Sequence, residues 1–326
     1  MQNLSRHIGT LTLKTPIILA PMAGITSLPY RRIMKPFGAG LVVTEMVSAN
    51  GLIRDGVKTR ELLATAADEA PLAVQLFGDD PAVLSRAAQM LDGDEELLDI
   101  NMGCPVKKVV RSGAGSALLK DPVRVGNIIA AVRKAYPKPL TAKIRSGWDA
   151  QSINYLEIGR ILESEGADAV TLHPRTRSQG FAGQADWDQI TQLKSALSIP
   201  VYGSGDICCG ADASRMMSQT GCDGIMLGRG CYGNPWLIGN CLRTLQNLAE
   251  IDPKPEDVLK VALQHLELHR QHFGERKALF EMRKHLSWYT KGFSGSSAFR
   301  AGLQTITSCR ELEDKAREFF AEVISA

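Results

Sequence analysis

Several places in the 326-residue chain combine residue types and spacings that could do chemistry. The foremost is Leu98-Asp99-Ile100-Asn101-Met102-Gly103-Cys104-Pro105, an apolar run that ends in small and polar residues with a thiol just beyond. If this run is a strand of a parallel barrel, its carboxyl end is where reacting groups gather, and Cys104 is a candidate nucleophile or proton donor rather than a packing residue. Lys143-Ile144-Arg145 puts two cations two residues apart, on one face of a strand. On an inward face such a pair needs an anionic or electron-rich ligand. His173 and Arg175 repeat the spacing. Gly203-Ser204-Gly205-Asp206 and Gly228-Arg229-Gly230 resemble the backbone cradles that hold phosphate after the last two strands of a barrel, with Arg229 able to add a charge-assisted bond. Ala20-Pro21-Met22-Ala23-Gly24 is small enough to let a flat ligand approach the backbone, and Gln75 could bond an amide-like ring edge.

These residues need elements to hold them. Eight short apolar runs recur at intervals of about 25–40 residues: 17–20, 41–44, 73–77, 97–101, 141–144, 169–173, 200–203 and 224–227. Rich in Val, Ile or Leu and mostly without polar alternation, they read as strands buried on both faces of a parallel sheet. Helical patterns lie between them, at 81–91, 123–135, 155–165, 187–196 and 211–220. Gly166-Ala167-Asp168 and Gly221-Cys222-Asp223 share one design, a Gly that closes a helix and an Asp ahead of the next strand. Eight alternations predict an α/β protein, a (β/α)₈ TIM barrel. A doubly wound sheet is the alternative, weakened because no G-x-G-x-x-G follows the first run. After about residue 240 the alternation stops, and segments 256–273, 277–291 and 312–324 read as helices, with Pro253 and Pro255 at the junction. The expected domains are a barrel over 1–245 and an all-helical domain over 250–326.

Composition narrows the class. The chain is 44% hydrophobic, ample for a large core, and its net charge of +3 argues nothing alone. Residues 105–148, however, hold ten Lys or Arg against one acid, and residues 264–300 hold seven against three, with His265, His269, His272 and His285 among them. Two basic regions in a balanced chain favour a polyanionic partner. Seven cysteines without a C-x-x-C pair suggest neither a disulfide framework nor a zinc knuckle, and no metal is expected. The amino-terminal residues carry no signal-peptide pattern, and the apolar runs are too short to span a bilayer. A cytoplasmic protein is expected. No coiled-coil heptads argue for assembly, so a monomer is expected.

Taken together, Ala20–Gly24, Asp99–Pro105, Lys107-Lys108-Val109, Lys143–Arg145, His173-Pro174-Arg175-Thr176 and Gly228-Arg229-Gly230 closely resemble the tRNA-dihydrouridine synthases, and most of all their bacterial B branch. The resemblance covers residues 8–240, and the helical tail has the length the family expects. It implies FMN across the carboxyl ends of the strands, with Pro21, Met22 and Ala23 along the ring, Gln75 and Lys143 on its polar edge and His173 beside it. Ser204, Gly205, Asp206, Gly228 and Arg229 would hold the ribityl phosphate. Asn101, Arg145 and Arg175 would bind the substrate, and Cys104 would be the proton donor. Where the family usually carries Asn-Gly-Asp after the seventh strand, this chain reads Ser204-Gly205-Asp206. The implied reaction is reduction of a D-loop uridine of tRNA, position 17 for the B branch, to 5,6-dihydrouridine. NADPH (or NADH) reduces the flavin, hydride goes to C6 and the Cys104 proton to C5. The base must be flipped out of the tRNA, whose phosphates the basic regions would hold. Two other readings use part of the same residues: an FMN barrel acting on a small molecule, such as a dihydroorotate dehydrogenase or an ene-reductase, and a tRNA-binding protein without catalysis.

Overall fold

A computed structural model describes residues 4, 6–91 and 93–325. The chain opens with an antiparallel hairpin, β1 (Arg6–Ile8) and β2 (Leu11–Leu13). Eight parallel strands follow: β3 (Ile17–Leu19), β4 (Leu41–Ser48), β5 (Leu72–Phe77), β6 (Leu97–Met102), β7 (Leu140–Arg145), β8 (Ala169–His173), β9 (Val201–Ser204) and β10 (Gly224–Leu227). They close into a barrel, β10 pairing with β3. All eight expected strands are present. Helices α1 (Leu28–Met34), α2 (Ala49–Ile53), α3 (Val57–Leu63), α4 (Pro81–Gln89), α5 (Lys107–Arg111), α6 (Pro122–Ala135), α7 (Tyr155–Ser164), α8 (Asp188–Ala196), α9 (Gly210–Thr220) and α10 (Trp236–Leu245) complete the TIM barrel. The tail consists of α11 (Pro255–Tyr289), α12 (Ser296–Gly302) and α13 (Cys309–Ser325).

The strands lack polar alternation because both of their faces are covered; every residue of β6 and β8 is buried. Local signals set the helix ends. Asp80 and Asp121 accept from the backbone N–H groups of Val83 and Arg124, each with proline at the first helical position. Gly221, at φ 64°, closes α9 in the left-handed region that glycine tolerates. The repeated Asp then has a purpose. Asp168 accepts from Leu140 N–H at 2.8 Å and Asp223 from Val201 N–H at 2.7 Å, so each ties its own strand to the start of its neighbour.

Two features lay outside the sequence reading. The β1–β2 hairpin has no continuous apolar run to announce it; its Ile8 and Leu13 pack with Leu41, Leu97 and Ala169, the first residues of three strands, and close the amino end of the barrel. The two expected helices at 256–273 and 277–291 form the limbs of α11, broken at Gly274 (φ 76°, ψ 168°). The tail has its own core, from Val258 to Phe320, built on Leu266, Met282, Leu286, Leu312 and Phe320. No helix among the described residues is long and apolar enough to cross a membrane.

Candidate active site

A cavity of about 950 Å³ opens at the carboxyl ends of the strands. All but two of the expected site residues line it: Pro21, Met22, Ala23, Asn101, Cys104, Lys143, Arg145, His173, Ser204, Gly205, Asp206, Gly228 and Arg229. They come from β6, β7, β8 and β9 and from the loops after β3, β6, β9 and β10. Chain ends of parallel strands point the same way in a closed barrel, so residues far apart in sequence meet there.

Gln75 is one of the two that do not line the cavity. It is fully buried in β5, and both ends of its amide are engaged. Its Nε2 donates to Asp99 Oδ2 at 2.6 Å, and its Oε1 accepts from Asn101 Nδ2 at 2.7 Å. Thr141 Oγ1 donates to the other Asp99 oxygen at 2.6 Å. Asn101 Oδ1 accepts from the backbone N–H groups of Cys104 (3.0 Å) and Gly103 (3.3 Å). The amide orientations follow from the chain's ends: a carboxylate only accepts and a backbone N–H only donates. A continuous relay therefore runs from β7 through β6 and β5 to the turn that presents Cys104. Strand register makes it possible, since Asp99 sits opposite both Gln75 and Thr141.

Arg175 is the other. It is 2% exposed, and its Nη2 donates to both Asp206 oxygens at 2.9 and 2.7 Å and to the Gly183 carbonyl at 2.6 Å. Asp206 also accepts from Ala185 N–H at 2.7 Å. Expected at the substrate, Arg175 instead fastens the glycine loop after β9 to the loop after β8. Arg145, which does line the cavity, spends much of its guanidinium on backbone: Nε donates to Gly103 O (2.9 Å) and Nη1 to Thr176 O (3.0 Å) and Gly180 O (2.7 Å).

The cavity is strongly cationic. Among the described residues, the side chains of Lys143, Arg145 and Arg229 have no carboxylate within ion-pair distance, while Arg175 is neutralised by Asp206. Burial, reinforced by Arg145, brings Lys143 down to about 8. Burial and then the four neighbouring cations push His173 well below its ordinary value, so it is neutral at physiological pH. Burial pushes the Cys104 thiol up, against the opposing pull of the Val106 N–H, Arg145 and Lys143. Cys104 is thus a thiol and not a thiolate near neutrality. Glycine is required at position 205, where φ is +118° and a Cβ would come within 2.9 Å of the Ala185 side chain.

Sequence reasoning missed the far wall. Met46, Phe181, Tyr232, Trp288, Tyr289 and Lys291 also line the cavity. Trp288 stacks on Tyr232 at 4.3 Å with 13° between the planes, so the tail forms part of the pocket. Phe181 lies between Arg145 and Arg229, with the Arg229 guanidinium 4.0 Å from its ring centre. Trp288-Tyr289-Thr290-Lys291 interleaves aromatic and basic residues, the one signal that could have found this wall.

A family model described as dihydrouridine synthase (Dus) matches residues 18–324. The tRNA-dihydrouridine synthase B of Pasteurella multocida is 42% identical over 311 residues, covering 94% of this chain and 92% of its own length. That of Pseudomonas aeruginosa is 40% identical over 321 residues, covering 97% and 96%. The probable tRNA-dihydrouridine synthase of Rickettsia conorii is 39% identical over 320 residues, covering 97% of each. Among solved structures, 2-naphthoyl-CoA reductase aligns with a TM-score of 0.59 at 14% identity, over 76% of this chain and 52% of that one. Histamine dehydrogenase from Rhizobium sp. 4-9 aligns with a TM-score of 0.57 at 12% identity, over 82% and 50%. At those identities the two structures share the barrel fold alone. Relatives aligned end to end with this chain, and a family match that takes in both barrel and tail, establish that it belongs to the dihydrouridine synthase family, enzymes that reduce uridine in tRNA.

Proposed function

We propose that the chain reduces a D-loop uridine of tRNA to 5,6-dihydrouridine, with FMN as its flavin and NADPH as its reductant. The observation that carries the reading is a half-buried free thiol, Cys104, at the edge of a cavity lined by Lys143, Arg145 and Arg229, cations without a carboxylate partner among the described residues. That cavity fits FMN. Lys143 suits the electron-rich edge of the ring, and Pro21–Ala23 suits its flat face. Ser204, Gly205, Asp206, Gly228 and Arg229 suit a phosphate, by backbone N–H groups and one guanidinium. Gln75, committed to Asp99 and Asn101, supports the cavity from beneath. When bound, the flavin supplies to uracil C6 a hydride that it takes from the nicotinamide.

The chain's own residues do the rest. Cys104 delivers its proton to C5, so the two atoms added to the double bond are one hydride and one proton. Lys143 and Arg145 stabilise the charge that develops on the uracil carbonyl and the thiolate left behind, which solvent reprotonates. Asn101 holds the Cys104 turn in place through its two backbone bonds. The target base must leave its stack to reach the cavity. Exposed Lys107, Lys108 and Arg111 follow Val106 at the rim, and Lys291 lines the same cavity, a rim that suits tRNA phosphates. The reading assigns catalysis to residues 1–245 and much of the tRNA grip to 250–326, and it sets the protein in the cytoplasm. Position 17 is the target that the resemblance to the B branch implies.

Mapping dihydrouridine in tRNA from cells that lack this protein, complemented by wild type or by Cys104→Ala, tests the reading. The wild type should restore the modification and bind FMN stoichiometrically. Cys104→Ala should keep FMN and tRNA binding and lose most turnover. A wild-type protein that takes up no FMN, or a variant with full turnover, would sink it.

A further inference from the structure

The two limbs of α11 bring three histidines together. His265 and His269 are four apart, on one face of the first limb. His285 comes from the limb that returns after Gly274. All three are at most 1% exposed, and one nitrogen from each lies within 4.8 Å of the others. The ring centres are 4.5, 4.6 and 5.4 Å apart.

We propose that His265, His269 and His285 form a binding site for a divalent transition metal of the zinc type. Among the described residues, Nε2 of His265 and both nitrogens of His285 are buried without a hydrogen-bond partner, and Nε2 of His269 has only the Glu281 carboxylate near it. A buried polar atom left unpaired is costly, and three such nitrogens in one cluster call for an occupant. The other nitrogens are oriented as in a metal's outer shell. Nδ1 of His265 lies 3.2 Å from Tyr289 Oη, and Nδ1 of His269 lies 3.3 Å from the His265 carbonyl, to which only an N–H can bond. Nε2 of His269 lies 3.4 Å from Glu281 Oε2, which sets a carboxylate beside the ligand atoms. Glu281 also supplies the negative charge that three neutral imidazoles lack.

Zinc–nitrogen bonds of about 2.0–2.1 Å at tetrahedral angles set ligand nitrogens about 3.4 Å apart, so binding draws the rings inward by side-chain rotation. Imidazole donors favour Zn²⁺, Co²⁺ or Ni²⁺ over Mg²⁺ or Ca²⁺. The site is structural, its three histidines buried and Glu281 alone partly exposed. Tyr30 of α1 packs its ring on both His265 and His285, and His285 meets Trp288 edge-on at 5.2 Å. The ion would fasten the tail hairpin to the barrel beside the wall that Trp288 and Tyr289 give the cavity.

The test uses tag-free, full-length protein stripped with a chelator, then titrated with Co²⁺ and, separately, equilibrated with Zn²⁺ by dialysis and metal analysis. One tight equivalent is expected, with visible d–d absorption of nitrogen- and oxygen-bound Co²⁺. His269→Gln and His285→Gln should abolish that equivalent. Tyr289→Phe, shown folded by circular dichroism, should weaken it by about 10–100-fold. No stoichiometric metal in folded wild-type protein would overturn the proposal. So would a thiolate-to-cobalt charge-transfer band, which places the ion on cysteine, or unchanged binding in folded His285→Gln.

Discussion

Replacing Gln75 by Met tests the buried relay behind Cys104. Met has nearly the volume of Gln, so no cavity opens and the loss is confined to hydrogen bonds. Two are removed, the 2.6 Å bond to Asp99 and the 2.7 Å bond from Asn101. Asp99 keeps only the Thr141 hydroxyl and Asn101 Nδ2 keeps no oxygen acceptor, both in a buried site. A buried polar group left unpaired costs about 1–3 kcal/mol, more for a carboxylate, which gives about 2–5 kcal/mol for the pair. That is a large share of a total stability of about 5–15 kcal/mol. Urea unfolding followed by circular dichroism measures it. The Gln75→Met/Asp99→Leu double variant should show a coupling of at least about 1 kcal/mol, because the singles remove one shared bond. Turnover should fall more than tRNA affinity, since the Cys104 turn loses its support while the basic rim is untouched. A single variant within about 0.5 kcal/mol of wild type, the error of additivity, and with full turnover would refute the relay.

Three further outcomes are expected. Because burial raises the Cys104 thiol, the proton donor is intact through neutral pH and is lost only as pH climbs through that raised value, so in Lys143→Met saturated with FMN, where the lysine no longer titrates, the residual pH–rate profile should be flat below it; in that variant an alkaline decline starting near pH 7 (about 1.5 units under the ordinary thiol) would contradict the assignment. Lys143, brought down to about 8, is charged below that pH and neutral above, so FMN should bind more weakly as pH rises through about 8, and Lys143→Met should flatten the dependence; wild-type affinity that does not change with pH would remove Lys143 from the anion site. Arg175→Lys loses the bidentate grip on Asp206 and the bond to Gly183, and should cost about 1–3 kcal/mol in urea unfolding, discounted because Asp206 is one-third exposed, with weaker FMN binding; unchanged values in both would make the Arg175–Asp206 pair irrelevant to the loop.

The barrel was legible because its cause is local. Continuous apolar runs, the helical spacing between them and the Gly-x-Asp joints each declare themselves within a few residues, and their alternation admits few topologies. The site was legible where it sits at strand ends, since a parallel barrel sends all of them to one mouth. Side-chain direction was not. Gln75 and Arg175 were expected to face ligands, yet Gln75 turns to Asp99 and Arg175 to Asp206, partners 24 and 31 residues away. Which neighbour satisfies a buried polar group depends on strand register and loop packing, which no local pattern encodes.

The tail shows the same division more sharply. Its helices follow from periodicity, and its basic residues from composition. By itself the sequence determined an α/β barrel, a helical tail, a thiol and its surrounding cations at the strand ends, and the family. That Gly274 folds α11 back, so that His285 meets His265 and His269 and Trp288 meets Tyr232, was decided by tertiary structure alone. The physical reason is that ligation and stacking are set by distances of a few ångströms between residues that the chain separates by many, and only packing closes those distances.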